Sequence, residues 1–194
     1  THYDGKIDTK IRFGADANPA SQERDTNGDG RMDQWIDFEA GHPKLQRDDH
    51  NFDGKPDSTT EFRAGVPAHR EEDVDFDGRL DRSITYANGE PSVVEEDHTG
   101  DGRPEFRAEF NPDGTKKVEF QDSNADGSFD ITIRYQHGEK VRVDQDTDQS
   151  GRVDSVTLYR GGQIVERRAD TSGDGHFDTE STYQDGNERR VLMS

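Results

Sequence analysis

Aspartates recur along this chain at a spacing that suits a hard metal cation. The nine-residue pattern Asp-x-Asn/Asp-x-Asp-Gly-x-x-Asp returns at Asp25–Asp33, Asp49–Asp57, Asp73–Asp81, Asp97–Glu105, Asp122–Asp130, Asp146–Asp154 and Asp170–Asp178. A truncated copy, His2-Tyr3-Asp4-Gly5-Lys6-Ile7-Asp8, precedes them. Oxygen-bearing side chains on alternate residues, with a glycine at the sharp turn, are what a short loop needs to wrap calcium. A single match would be weak. Eight in phase predict about seven calcium ions per chain, with an eighth if the first loop is completed.

Each loop position has its own role. Position 1 is Asp25, Asp49, Asp73, Asp97, Asp122, Asp146 and Asp170. Position 3 offers a side-chain oxygen in Asn27, Asn51, Asp75, Thr99, Asn124, Asp148 and Ser172, but not in His2. Position 5 is Asp4, Asp29, Asp53, Asp77, Asp101, Asp126 and Asp174, with Ser150 as the exception. Position 6 is always glycine, as a turn at positive φ demands. Position 7 (Arg31, Lys55, Arg79, Arg103, Ser128, Arg152, His176) is expected to lend its backbone carbonyl, its side chain pointing to solvent. Position 8 is apolar throughout, from Ile7 to Phe177, and is expected to pin the loop to the core.

Position 9 is acidic in every copy: Asp8, Asp33, Asp57, Asp81, Glu105, Asp130, Asp154 and Asp178. No Glu stands at position 12, where a helix-loop-helix EF-hand keeps its bidentate ligand, so the ninth-position acid must close the shell. In this the loops resemble the short calcium loops of thrombospondin type 3 repeats and of the FG-GAP blades in integrin-like propellers. The resemblance covers the loops and not the segments between them. It implies a calcium-stabilised extracellular module, often adhesive or structural, and carries over neither a ligand nor an enzymatic role.

The segments between loops must position them. Ile36 and Phe38 share one face of an alternating stretch, Trp35 and Asp37 the other. An aromatic recurs at Phe13, Phe38, Phe62, Tyr86, Phe110, Tyr135, Tyr159 and Tyr183. Period-two alternation of this kind predicts half-buried strands. Turn dipeptides follow, including Ala40-Gly41, Ala64-Gly65, Asn88-Gly89 and His137-Gly138, which favour tight hairpins. Each repeat therefore reads strand, tight turn, strand, calcium loop, in one repeat domain over residues 1–194.

A parallel solenoid would stack successive loops at ~4.8 Å, too close for a calcium with its own shell. An antiparallel meander doubles that distance. The expected fold is all-β: tandem 24-residue hairpins in an antiparallel meander, coiled or propeller-like, with calcium loops along one edge. Its aromatic face must be covered by coiling, by pairing of blades or by another chain.

Composition agrees with the loops. The formal charge is −19 from 44 acids against 25 Lys and Arg, and only 26% of residues are hydrophobic. Loop positions 1, 3, 5 and 9 hold 24 of the acids, so the remaining 20 are outnumbered by bases. Apolar supply is too poor to offset ordering, at ~1.5 kcal/mol per residue, without help. Calcium at 100 times its dissociation constant adds about 2.7 kcal/mol per site. The weakest loops are expected to be Asp146–Asp154, with Ser150, and the truncated first. Asp25–Asp33, Asp49–Asp57, Asp73–Asp81 and Asp122–Asp130 are expected to fill first.

Cysteine is absent, no apolar run is long enough to cross a membrane, and the acidity argues against nucleic acid. Loops of this type saturate in millimolar calcium, which points to the extracellular space or the cell surface. No Gly-x-Ser-x-Gly or His-Glu-x-x-His motif occurs and the paired carboxylates are claimed by the loops, so an enzyme is not expected. Joining Ser194 to Thr1 would complete the split loop. Head-to-tail assembly into a filament is therefore one expectation, and a cleavage boundary at that point is the alternative. The functional classes are a structural filament protein, a calcium-dependent adhesion module that binds another extracellular protein, and, less favoured, a calcium buffer or sensor.

Overall fold

The computed structural model describes residues 6–184 and 186–193, without the side chains of Arg190, Leu192 and Met193. Asp4 and the junction of Ser194 with Thr1 lie outside the described residues.

The fold is all-β, and the strands hydrogen-bond in chain order as one unclosed antiparallel meander. Two compact units divide the chain, Thr1–Ser92 and Val93–Ser194. The first holds β1 (Thr9–Phe13), β2 (Pro19–Arg24), β3 (Gln34–Glu39), β4 (His42–Asp48), β5 (Ser58–Arg63), β6 (Val66–Glu72) and β7 (Arg82–Ala87). After β8 (Glu90–Glu96), the second holds β9 (Phe106–Phe110), β10 (Lys116–Gln121), β11 (Ile131–Gln136), β12 (Glu139–Gln145), β13 (Ser155–Arg160), β14 (Gln163–Ala169), β15 (Thr179–Gln184) and β16 (Asn187–Met193).

In the first unit, Ala40 and Gly41 adopt φ of 50° and 77°, and Ala64 and Gly65 adopt 52° and 77°. Positive φ at both central residues is the primed turn whose twist matches that of the flanking strands. A bulge sits beside each turn. Asp37 faces Leu45 while Phe38 faces Pro43, leaving Lys44 as the extra residue, and the same shift recurs between Glu61 and Phe62. Bulges bend a strand and increase its twist, and here they fall next to the aromatic position of the repeat.

The second unit repeats the device at Arg134/Tyr135, Leu158/Tyr159 and Thr182/Tyr183. Its first hairpin differs because Pro112 presets φ. The amide of Gly114 donates to the Asn111 carbonyl at 2.9 Å, and Gly114 itself takes φ of 79°. That is a type I turn followed by a left-handed glycine.

Hydrophobic burial is slight. Among the described residues the buried set comprises Ala108, Val143 and Val156 against fourteen polar or charged residues. In most loops the apolar residue at position 8 does not pin its loop, contrary to the expectation from sequence: Ile7 is 61% and Leu80 53% exposed, and Val153 and Phe177 are also exposed, whereas Met32 and Pro104 are half-buried. Phe129 alone makes a ring contact, with Phe120 at 5.5 Å between centroids. The loops overhang the edge of the sheet, so their eighth residue has no facing layer to enter.

Candidate metal centres

Six of the loops are closed at the neck by a backbone hydrogen bond from position 9 to the residue before position 1. In loop 25–33 the Asp33 amide donates to the Arg24 carbonyl at 2.9 Å, and in loop 49–57 Asp57 donates to Asp48 at 2.9 Å. This brings positions 1 and 9 side by side. Neighbouring loops are also tied: the position-1 amide donates to the preceding position-9 carbonyl, as in Asp49 to Asp33 (2.8 Å), Asp73 to Asp57 (2.7 Å) and Asp170 to Asp154 (2.8 Å). Asp8 joins the series by accepting from the Asp25 amide at 2.9 Å.

Within a loop the chain winds around its own carboxylates. Asp25 accepts from the amides of Gly28 (2.6 Å) and Gly30 (2.7 Å), and Asp33 from Thr26 (2.9 Å). Asn27 accepts from the Asp29 amide at 2.8 Å, and Asp29 from the Arg31 amide at 2.7 Å. The same bonds recur for Asp49 with Gly54, Asp73 with Gly78, Asp97 with Gly102, Asp122 with Gly127, Asp146 with Gly151 and Asp170 with Gly175. Position 3 repeats its role in Asn51, Asp75, Asn124 and Asp148, which accept from the amides of Asp53, Asp77, Asp126 and Ser150. Position 5 repeats its role in Asp53, Asp77, Asp101, Asp126 and Asp174, which accept from the amides of Lys55, Arg79, Arg103, Ser128 and His176. Ser150 has no carboxylate to offer Arg152. Thr99 and Ser172 instead turn their hydroxyls onto Glu105 (2.8 Å) and Asp170 (3.2 Å).

These bonds hold several carboxyls acidic. Burial pushes Asp97 up, but the amides of Gly102, Gly100 and Asp101 together with Thr99 outweigh it and leave its pKa below the usual value. Asp170 is lowered in the same way, against burial, by Gly175 and Gly173. Asp178 is lowered first by the Thr171 hydroxyl, Asp126 by Asn124 and Asp148 by Ser150. The oxygens are therefore ionised at neutral pH and available to a cation.

Three loops draw carboxylate oxygens within 4.8 Å of one another: Asp73, Asp75 and Asp81; Asp97, Asp101 and Glu105; and Asp146, Asp148 and Asp154. These groups could hold a metal ion. In loops 25–33, 49–57 and 122–130 position 3 is Asn, so an amide oxygen stands where a carboxylate would.

A contrast lies between two of the buried strand acids and the buried acids in loops; a third strand acid, Asp48 on β4, is held by the Gln34 and Gln46 amides and the Ser58 hydroxyl rather than by a base. On strands, Asp144 is ion-paired with Arg134 and Arg142. Glu119 holds Lys116 and accepts from the Tyr135 hydroxyl at 2.6 Å. In the loops, Asp25, Asp33, Asp49, Asp57, Asp122, Asp130 and Asp154 are buried, and their partners are amides, hydroxyls and the His50 ring. Among the described residues no lysine or arginine is ion-paired with them. Two like charges side by side and out of water require a cation or a proton.

Two features escaped the sequence reading. Position 2 is a ligand-holding position: Ser123 and Thr147 hydroxyls reach Asp130 (2.6 Å) and Asp154 (2.8 Å), and His50 Nδ1 lies 2.6 Å from Asp57. The run of Thr, His and Ser at that position was the available signal. Position 7 is also more than a solvated stripe. Lys6 Nζ donates to the Asp29 carbonyl at 2.8 Å, and Arg103 Nη1 to the Asp126 carbonyl at 3.3 Å. In these two cases a basic side chain from one loop braces the fifth position of the next, which corrects for Lys6 and Arg103 the expectation that the side chain points away.

Fold and site together define a class: tandem β-hairpins whose connecting loops form repeated acidic cages. Neither protein-family models nor curated proteins give a match to this chain.

Proposed function

We propose that the chain is a calcium-stabilised extracellular structural repeat protein, with about seven calcium ions bound in its loops and an eighth if the split terminal loop is completed. The observation that carries this reading is the set of buried loop carboxylates without a lysine or arginine partner among the described residues, beside Asp144 and Glu119 on the strands, which have one. Calcium fits the donors: oxygen throughout, several carboxylates per loop and no thiolate, whereas zinc favours nitrogen and sulfur and magnesium keeps most of its water. Seven calcium ions would reduce the formal charge from −19 to −5. The resemblance to thrombospondin type 3 and FG-GAP loops supports the same reading. No catalytic role is assigned, because the acids that could form a dyad serve the cages. The second reading is a calcium-rigidified adhesion module; it is favoured by the apolar side chains that the loops expose, Phe52 and Phe76 among them.

Calcium titration followed by circular dichroism and thermal melting tests this. The melting temperature is expected to rise steeply with calcium, with about seven equivalents bound by calorimetry and little response to equimolar magnesium. Equal heat stability in excess chelator and in millimolar calcium would sink the reading. A monomer at all concentrations that captures a saturable partner would move the assignment from structural element to adhesion module.

A further inference from the structure

Loops 97–105 and 122–130 lie side by side, tied by the Asp122 amide donating to the Glu105 carbonyl at 2.8 Å. Arg103, at position 7 of the first loop, crosses to the second. Its Nη1 donates to the Asp126 carbonyl at 3.3 Å, and its Cδ and Nη1 lie 2.6 Å from where a Cβ would stand on Gly127. Lys6 makes the same crossing to loop 25–33: its Nζ is 2.8 Å from the Asp29 carbonyl and 3.3 Å from the Cβ place on Gly30. Arg152 Nη1 comes within 3.4 Å of the matching place on Gly175. Different bases thus reach one spot, the bare face of the position-6 glycine. Glycine serves twice there. It accepts a φ of 88° at Gly127, and its missing Cβ leaves room for the base.

We propose that this basic side chain couples neighbouring loops, so that a cation bound in loop 122–130 raises the affinity of loop 97–105, and the reverse; the inference rests on the reading of the loops as cation sites. The path is short. In loop 97–105 the Arg103 amide donates to Asp101 at 2.8 Å, and Asp101 shares its oxygen cluster with Asp97 and Glu105. An ion on that cluster fixes Asp101, and with it the Arg103 backbone. In loop 122–130 the Gly127 amide donates to Asp122 at 2.7 Å, and the Ser128 amide to Asp126 at 2.8 Å. An ion there fixes the carbonyl and the glycine on which the guanidinium lies. Each ion orders one end of the same bridge, so the second meets a bridge already half ordered. Such coupling is reciprocal by linkage, and in a repeat array it acts between nearest neighbours.

The bridge is not built between every pair. A Cβ added at Gly54 or Gly78 meets nothing within 4 Å, although loops 49–57 and 73–81 share the same backbone tie, Asp73 to Asp57 at 2.7 Å. That pair has the tie without the base, and repulsion between ions in adjacent loops acts on it equally. It is the internal control.

Calcium titration of the isotope-labelled full chain, followed by NMR at the position-6 glycine amides, reads each loop separately. Each of these amides donates to the first aspartate of its own loop, Gly102 to Asp97 at 2.7 Å and Gly54 to Asp49 at 2.8 Å. Asp122→Ala is expected to raise the calcium midpoint of Gly102 about fivefold. Asp126→Ser, which copies Ser150 of loop 146–154 at an exposed position, is expected to move it in the same direction without disturbing a buried residue. In an Arg103→Ala background neither change is expected to shift Gly102 further. In an Arg103→Lys background both are, since Lys6 makes the same contact. Asp73→Ala is expected to leave the Gly54 midpoint unchanged or to lower it. An unmoved Gly102 midpoint, an equal shift with and without the Arg103 side chain, or an equal shift in the control pair would overturn the bridge. If no glycine amide responds to calcium, the cation reading fails and the coupling with it; if the amides respond but titrate independently, the coupling fails alone.

Discussion

At the turn edge, Ala40 and Gly41 reverse the chain in two residues, using nothing but left-handed backbone. At the loop edge, Asp49–Asp57 takes nine residues, and its amides are satisfied by the side chains of Asp49, Asn51, Asp53 and Asp57. Both join the same kind of antiparallel pair. The turn carries no charge, whereas the loop gathers three aspartates, two of them, Asp49 and Asp57, buried. Under the proposed function, the difference teaches where stability would depend on a cation: at the loop edge, and not at the turn edge.

The largest expected effect breaks the comparison at a single loop. Asp57→Asn removes half of the buried pair in loop 49–57. In millimolar calcium it should lose about 2.7 kcal/mol, the linkage value of a site held at 100 times its dissociation constant. In chelator the same variant should be neutral or slightly stabilising, because it relieves the repulsion from Asp49. Urea unfolding in both buffers reads the sign. A loss of equal size in both would make Asp57 a structural acid and erase the distinction between the edges.

A smaller effect belongs to the turn edge. Gly138 has φ of 80°, and a Cβ added there meets nothing within 4 Å. Gly138→Ala should therefore cost only the conformational penalty, about 1–2 kcal/mol, and the same amount with and without calcium. Calcium-dependent loss would show that the two edges are coupled.

The smallest effect is on the strands. Burial, and then the Glu119 carboxylate, push the Tyr135 hydroxyl up to about 12. A raised pKa favours the neutral form in the folded state. Its contribution is present below the ordinary tyrosine value near ~10 and is lost as pH climbs from there towards 12. Absorbance at 295 nm should show one of the five tyrosines ionising late, in calcium and in chelator alike, and Tyr135→Phe should remove that step. A calcium-dependent shift in this titration would mean that strand acids share the loops' conditional character.

Much of the architecture was legible because it is local. The loop ligands lie within nine residues of one another, and the turns within two, so residue type and spacing suffice to read them. What was misread or missed depends on neighbours in space. Position 8 looked like an anchor, yet the edge of a meander offers Leu80 no layer to pack against. Lys6 reaches the Asp29 carbonyl 23 residues away, a contact that exists only because successive loops are tied side by side. The hydroxyls of Ser123 and Thr147 became meaningful once the loop neck placed position 2 against position 9.

By itself the sequence determined the repeat, the strand and turn alternation, and the ring of oxygens in each loop, because covalent spacing and backbone preference act over a few residues. Only the tertiary structure decided which carboxylates are buried without a basic partner and which are matched by arginine. Charge pairing runs across a hairpin, as from Arg134 to Asp144, or along one strand, as from Arg142 to Asp144, and it depends on which face of the sheet each side chain takes. The buried acids thereby fall into strand acids such as Asp144, which arginines neutralise, and loop acids, which lack a lysine or arginine partner among the described residues.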